Sequence, residues 1–455
     1  MTTDPFLQSE AVYDAWSMGS QQERFLPFRG WRYAPRFPLE DVLSPPYDII
    51  EQAAWAMYRQ RHPFNIVHLV LPGGPLDGAE PDVSHYYRAA EHLHGWQRQK
   101  VLAREGRPAL YVLKQTFETS GGVHVSRIGV IGRIALHSWG RGMLPHERTF
   151  PSAKADRLAL LKATRVQFSP IFTLYSDPQA VVRSLLEEIC AAPPHVSYRN
   201  EEGVVQRLWK VEEEDRIRAL VRQLGSKTFY VADGHHRYET ALNYQRWQRR
   251  RHPHAPPGQP YDYAMIYAAA LEDPGVTILP THRAVHRTSD VTPERVLSAV
   301  IRSYDVSPMQ DDQELLAWIQ HLTPGLPDIA LVFPEGPAYR LHLRLDRPHV
   351  QQCRAETPPE IFDLAVYQLQ KFVLGPGVGI SDDPVMQKKQ LHFSPDAEQL
   401  LRQVRAGLWK LVALVAPTSL EQFQALAEAR QVAPPKATYF YPKLPSGLVM
   451  YEVGG

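Results

Sequence analysis

Apolar positions along the chain switch repeatedly between a spacing of two and a spacing of three to four, which predicts strands and helices in alternation. The stretch "TFYVA" alternates bulky and small β-forming residues and reads as a half- or fully buried strand. From Tyr238, Ala241 and Leu242 fall at i+3 and i+4, so a helix follows at once. Strands are also predicted at "NIVHLVL", "ALYVLKQTFE", Ile128 to Leu136, "SPIFTLY", "VVQRLWKV", "YAMIYAAAL" and "GVTILPTHRAV". Helices are predicted from Glu51 to Arg61, Val83 to Gln99 and Asp215 to Leu224. "GPGVG" at 375–379 imitates a dinucleotide loop, but no strand-like run precedes it, and it reads as a plain loop. There is no convincing internal repeat.

Composition adds bounds. With 455 residues, 44% of them apolar, the chain can bury more than one core, and two or three domains are expected. Three regions with soft boundaries emerge: an N-terminal α/β region (1–127), a core carrying the turn discussed below (128–285), and a C-terminal α/β region (286–455). The formal charge of +1 and the lack of a long basic run argue against a dedicated duplex-DNA binder. Cys190 and Cys353 form no metal-binding spacing. The polar start "MTTDPFLQSEAVYD" is unlike a signal peptide, and no apolar run approaches the roughly 18 residues of a membrane helix. A cytoplasmic protein without membrane contact is expected.

The chemistry concentrates where the "TFYVA" strand hands over to its helix, in Asp233, Gly234, His235, His236 and Arg237. Glycine allows a sharp turn and a close approach of backbone to ligand. A helix N-terminus offers unpaired N–H groups and a partial positive charge, which suits an anion. Arg237 can grip phosphate oxygens, while Asp233 can cap the helix, hold Mg²⁺ or orient a hydroxyl. The same residues also make sense as a capped turn with two surface histidines and no ligand. A second cluster, "LPHERTFPSAKADRLALL", supplies His146, Glu147, Lys154 and Arg157 at a loop and helix start. That mixture suits base chemistry beside bound phosphate, and equally a salt-bridged helix start. His282 and Arg283 follow a β-rich run. Lys436 and Lys443 are interleaved with Tyr439, Phe440 and Tyr441, a pattern that can stack a base or pack as an edge segment. Tyr47 and Asp48, held extended by Pro45 and Pro46, are candidates for the substrate side.

The motifs "FRGWRY", "SPPYD", "HERT", "SPIFTLY", "ADGHHRYETAL", "LPTHR" and "PPKATYFYPKLPSGLV" occur in this order across nearly the whole chain. The series resembles the family called domain of unknown function 1015, with Ala437 standing where that pattern leads one to expect serine. Within it, "ADGHHR" resembles the phosphate-binding turn of the ParB/sulfiredoxin superfamily, closest to free serine kinases. This second resemblance covers about residues 128–285. It implies an α+β fold with a mixed sheet, a ParB/sulfiredoxin-like central core and flanking α/β elements. It implies further that Gly234, His235, His236 and Arg237 hold nucleotide phosphates, with Lys154 and Arg157 nearby. Glu147 would be the base, with Asp233 and His146 beside it, and Asp233 would reach Mg²⁺ accompanying ADP or ATP. Tyr47, Asp48, His282, Arg283 and Lys436 would wall the substrate side. The expectation is a phosphotransferase acting on a small hydroxylated metabolite. The alternative is a regulatory protein that senses a nucleotide or phosphometabolite without turnover. Nucleic acid is not an expected partner, and a homodimer stays open.

Overall fold

Strands form where the sequence alternates or runs apolar, and nine of them gather in one mixed sheet. The computed structural model describes residues 24–75, 82–119, 122–147, 149, 151–286 and 291–454. In chain order the strands of this sheet begin with β1 (Phe25–Leu26), β2 (Leu110–Glu118), β3 (His124–Ala135), β4 (Met143–Leu144) and β5 (Ile171–Tyr175). They are joined by β6 (Val196–Arg199), β7 (Val205–Val211), β8 (Phe229–Asp233) and β9 (Tyr263–Ala270). The spatial order is β4-β8-β5-β9-β3-β2-β7-β6, with β1 paired to β3. β8 runs parallel to β4 and antiparallel to β5, and β5 runs parallel to β9. All eight residues of β9 are buried, as expected of a strand covered on both faces. Residue 127 lies within β3, so hydrogen bonds to β2 and β9 tie the chain before it to the chain after it.

Past β9 the chain forms β10 (Thr277–Leu279) and then leaves the first sheet. Pro280, which has no N–H for a ladder, separates β10 from β11 (His282–His286), so "GVTILPTHRAV" is two strands rather than one. β11 belongs to a second, antiparallel sheet with β12 (Tyr304–Pro308), β13 (Ile329–Val332), β14 (Tyr339–Leu343), β15 (Leu391–Ser394) and β16 (Trp409–Val415). The chain then returns. β17 (Tyr439–Tyr441) pairs with β10, Ser446 bridges to Ser44 and Met450 to Trp31. The largest apolar cluster accordingly mixes early residues such as Tyr33 and Val42 with late ones such as Met450 and Val453.

Five helices matter for the site: α1 (Val67–Val70), α2 (Val83–Arg98), α3 (Pro151–Thr164), α4 (His235–Arg251) and α5 (Leu420–Glu428). α3 packs between α2 and α4. The turn α1 corrects the strand expected at "NIVHLVL". Asn65 accepts from the Val67 N–H at 3.0 Å, which closes a local turn, and the apolar run after it is buried as a helix. A continuous apolar run carries no period that separates the two states. "GPGVG" likewise is no plain loop: most of it lies in a π-helix, Gln370–Val378, that contains Pro376 and ends at Gly379 with φ +82°. Elsewhere the expected mixture of helices with a large mixed sheet is what the chain forms.

Candidate functional site

The junction of β8 and α4 sets the geometry. Gly234 has φ +98°, a conformation L side chains rarely adopt, and a Cβ there would lie 2.8 Å from the Arg237 guanidinium. Gly234 is the N-cap of α4 and offers no side-chain cap. The first backbone hydrogen bond of the helix runs from the Tyr238 N–H to the Gly234 carbonyl at 3.0 Å. The N–H groups before it point out of the helix end, where its dipole favours negative charge.

Asp233 closes the strand with both carboxylate oxygens engaged. Lys443 donates to Oδ1 at 2.8 Å, and Arg237 pairs with Oδ2. Burial alone would raise this carboxyl, but Lys443 and Arg237 outweigh it and hold it well below the usual range. Arg237 also donates Nη1 to the Pro170 carbonyl at 2.5 Å. Lys443 is carried by a segment that the first sheet grips from below. Arg127, fully buried, donates to the carbonyls of Tyr441 at 3.0 Å and Pro442 at 2.5 Å and stacks over Phe172.

Three histidines surround the turn in neutral form. His146 donates Nδ1–H to the Val231 carbonyl at 2.8 Å, so its Nε2 accepts from the Thr438 hydroxyl at 2.7 Å. Its ring packs on Phe423 of α5, and burial lowers its pKa to about 4. His235 is buried beside it, accepts from the His146 backbone N–H at 3.2 Å, and is held neutral by burial. His236, partly exposed, lies in the field of Asp48, Lys436, Glu239 and Lys154, with its pKa lowered to about 4, chiefly by burial.

Glu147 is half-buried, with its backbone bridged to Ala433. Burial raises its carboxyl above the ordinary value, against the opposing pull of the Lys436 charge and backbone N–H. Lys436 has φ +57°. Burial works against its charge, yet Asp48, Glu147 and Asp233 keep the ammonium protonated. Arg283 supports this lysine, donating to its carbonyl at 3.1 Å and to the Thr281 carbonyl, with Phe393 against its guanidinium. Burial brings Arg283 down to about 9, Glu147 opposing. His282, the preceding residue on β11, points to the other face of its strand and accepts from the Val415 N–H at 3.1 Å.

Tyr47, Arg157 and Arg237 line an open cleft with about 540 Å³ of atom-free space. Arg157 lies 4.1 Å from the Tyr47 ring, donates to the Val70 carbonyl at 2.6 Å and pairs with Asp156, which accepts from Tyr86 at 2.6 Å. Lys154 reaches α4 through Glu239 at 2.7 Å, which also accepts from Thr149 and Trp139. The structure therefore gathers Asp48, Glu147, Asp233, His236, Arg237 and Lys436, with Tyr47, Lys154 and Arg157 at the margin. His146 and His235 lie behind the turn, and His282 belongs to the second sheet. Arg127 and Glu239 were not among the residues expected, and Lys443 was read only as part of the basic-aromatic run "YFYPK", not as the partner of Asp233.

A resident Mg²⁺ does not fit Asp233, whose oxygens both bind cations. Among the described residues no three histidine, cysteine or acidic side chains gather as a metal site.

No curated protein matches the chain significantly. Its structure is similar to that of a conserved hypothetical protein from Pyrococcus furiosus, with 13% identity, 69% of this chain and 92% of that chain covered, and a TM-score of 0.32. It is similar to a free serine kinase in complex with AMP, with 12% identity, coverage of 68% and 86%, and a TM-score of 0.32. SbnI with a C-terminal truncation, from Staphylococcus aureus, is similar at 10% identity, coverage of 71% and 83%, and a TM-score of 0.32. The model of the family described as "Protein of unknown function (DUF1015)" matches residues 25–365, well over half of the sequence, and the chain belongs to that family.

Proposed function

We propose that this protein is a phosphotransferase that takes ADP or ATP and acts on a small hydroxylated metabolite such as free serine. The observation that carries the reading is the uncapped N-terminus of α4, with Arg237 and Lys436 beside it and a half-buried carboxylate, Glu147, within the field of that lysine. Phosphoryl transfer needs a charge cradle and an oriented nucleophile more than covalent chemistry from the protein. In this reading the nucleotide phosphates lie at the Gly234 turn, held by the helix N–H groups and Arg237. Glu147 takes the proton of the acceptor hydroxyl, a task helped by its raised pKa. Lys436 offsets charge that develops on the transferring group. His146, both ring nitrogens engaged, positions the Glu147 loop rather than exchanging protons.

A second reading rests on a different observation. Asp233 binds Arg237 and Lys443 together, as a phosphate would. A phosphorylated metabolite that displaced this carboxylate would loosen the Lys443 segment, giving a sensor without turnover.

The test is calorimetric titration of ADP, ATP and CTP into wild type and Arg237→Ala. Binding weakened about tenfold or more by the substitution is the expected result, the loss of a charge-assisted hydrogen bond. Formation of a phosphorylated product from serine or another small alcohol would then separate enzyme from sensor. If wild type binds no nucleotide, the phosphotransferase reading falls.

A further inference from the structure

A divalent cation is the usual companion of a bound nucleotide. Mg²⁺ takes nearly octahedral oxygen ligands at about 2.1 Å, drawn from phosphates, water and one or two carboxylates. At the Gly234 turn the carboxylate in position is Asp233, and the fold has already filled it. Lys443 donates to Oδ1 at 2.8 Å, and Arg237 holds Oδ2. A metal ion at either oxygen would stand against an ammonium or a guanidinium and would have to displace it.

Both cations are built in. Lys443 ends a stretch of pinned carbonyls: Arg127 donates to Tyr441 at 3.0 Å and to Pro442 at 2.5 Å, and Gln115 donates to the carbonyl of Lys443 itself at 3.2 Å. Arg237, in the first turn of α4, is tied also to the Pro170 carbonyl at 2.5 Å. The other two acids near the turn are matched as well. Asp48 and Glu147 lie in the field of Lys436, whose carbonyl is held by Arg283 at 3.1 Å. The carboxylates of Asp48, Glu147 and Asp233 thus face Arg237, Lys436 and Lys443. The two cations on Asp233 are not sealed off, since the Arg237 side chain is 14% exposed and that of Lys443 9%. A guanidinium has several N–H donors and an ammonium three, so each can serve an incoming anion as well as Asp233.

We propose that the Gly234 turn takes its phosphate-bearing ligand as the metal-free anion, with Arg237, Lys436 and Lys443 in the place a divalent cation would hold. The proposal rests on the reading of the turn as a phosphate site, and not on transfer to an acceptor. It makes Asp233 an internal counter-anion, which occupies the cations until the ligand arrives and competes with it.

ADP and inorganic pyrophosphate are the probes, titrated calorimetrically into the full chain in EDTA and again in excess Mg²⁺. The affinity in EDTA is expected to equal or exceed that in Mg²⁺. Asp233→Asn tests the sign. Removing the competing charge is expected to tighten binding in EDTA about tenfold, as charge-assisted hydrogen bonds are freed for the ligand. An aspartate that held the metal would give the opposite, a loss seen in Mg²⁺. Mn²⁺ added alone, read by its electron paramagnetic resonance signal, is expected to bind wild type no more than the variant. The comparison of EDTA with Mg²⁺ in wild type stands even if the variant folds poorly. The proposal is overturned by binding that EDTA weakens about fivefold or more, by weaker binding in a folded Asp233→Asn, or by a Mn²⁺ site that the variant loses. Binding confined to Mg²⁺ removes this proposal alone. If neither probe binds in either condition, the phosphate reading of the turn falls and the proposal with it.

Discussion

The ammonium of Lys443 lies 2.8 Å from Oδ1 of Asp233, a residue 210 positions earlier in the chain. This pair holds a carboxylate next to a helix N-terminus that would otherwise repel an anion. With Arg237 on the second oxygen, the negative charge is offset before any ligand arrives.

Removing one partner tests that balance. Lys443→Met leaves Asp233 largely buried with Arg237 alone, and the expected loss of stability at neutral pH is about 2–3 kcal/mol. Urea unfolding measures it. Asp233 has its folded pKa depressed, so its contribution is present above its unfolded value of about 3.9 and is lost as pH falls toward the folded one. The gap between wild type and variant should therefore narrow in acid below about pH 4. A gap unchanged there would mean the variant acts through packing.

Glu147→Gln keeps the shape of the site and removes the carboxylate proposed as base. Turnover is expected to fall by about 10²–10⁴-fold with nucleotide affinity little changed. In wild type the rate should rise with pH through a carboxyl value above the ordinary one near 4.3, since burial raises Glu147 and the working form is deprotonated. Full turnover in the variant would remove Glu147 from the mechanism.

Gly234→Ala places a Cβ against Arg237 in a backbone conformation that favours glycine. A stability loss of about 1–2 kcal/mol is expected, together with weaker nucleotide binding as the guanidinium is pushed aside. Thermal unfolding and titration read the two effects. A variant as stable as wild type would show that the turn relaxes freely.

Burial lowers both His146 and His236 to about 4, whereas an unfolded histidine titrates near 6.5. Between those values the unfolded chain binds more protons than the folded one, so stability must fall as pH is lowered from about 6.5 to about 4. His146→Gln should be less stable at pH 7, because it disturbs hydrogen bonds to Val231 and Thr438, but its stability should fall less steeply with acid. Chemical denaturation at a series of pH values checks the slope. An identical slope in the variant would assign the effect to other groups.

The turn itself was legible because everything that shapes it is local. A β-forming run, one glycine and apolar positions at helical spacing place Asp233 to Arg237 at a strand-to-helix junction. The Glu147 loop was legible for the same reason. What completes the site is long-range. Nothing near Asp233 in sequence announces Lys443, and a buried arginine such as Arg127 reads as a surface residue until the sheet closes over it. Nor does the adjacency of His235 and His236 say which ring turns toward the core. At "NIVHLVL" the apolar run fits helix and strand alike, and a single Asn65 side chain decides between them.

The return of the C-terminal segment sets an order in time. A ribosome that has just delivered Asp233 has 210 residues still to add before Lys443 exists. At typical elongation rates of about 5–20 residues per second, that is roughly ten to forty seconds. Through that interval the nascent chain can form the Gly234 turn and begin α4, but Asp233 faces Arg237 without its second cation. The charge balance of the site is therefore a late event in the protein's synthesis. An interrupted chain that folded its first sheet would display the Gly234 turn without the lysine that offsets the charge of Asp233.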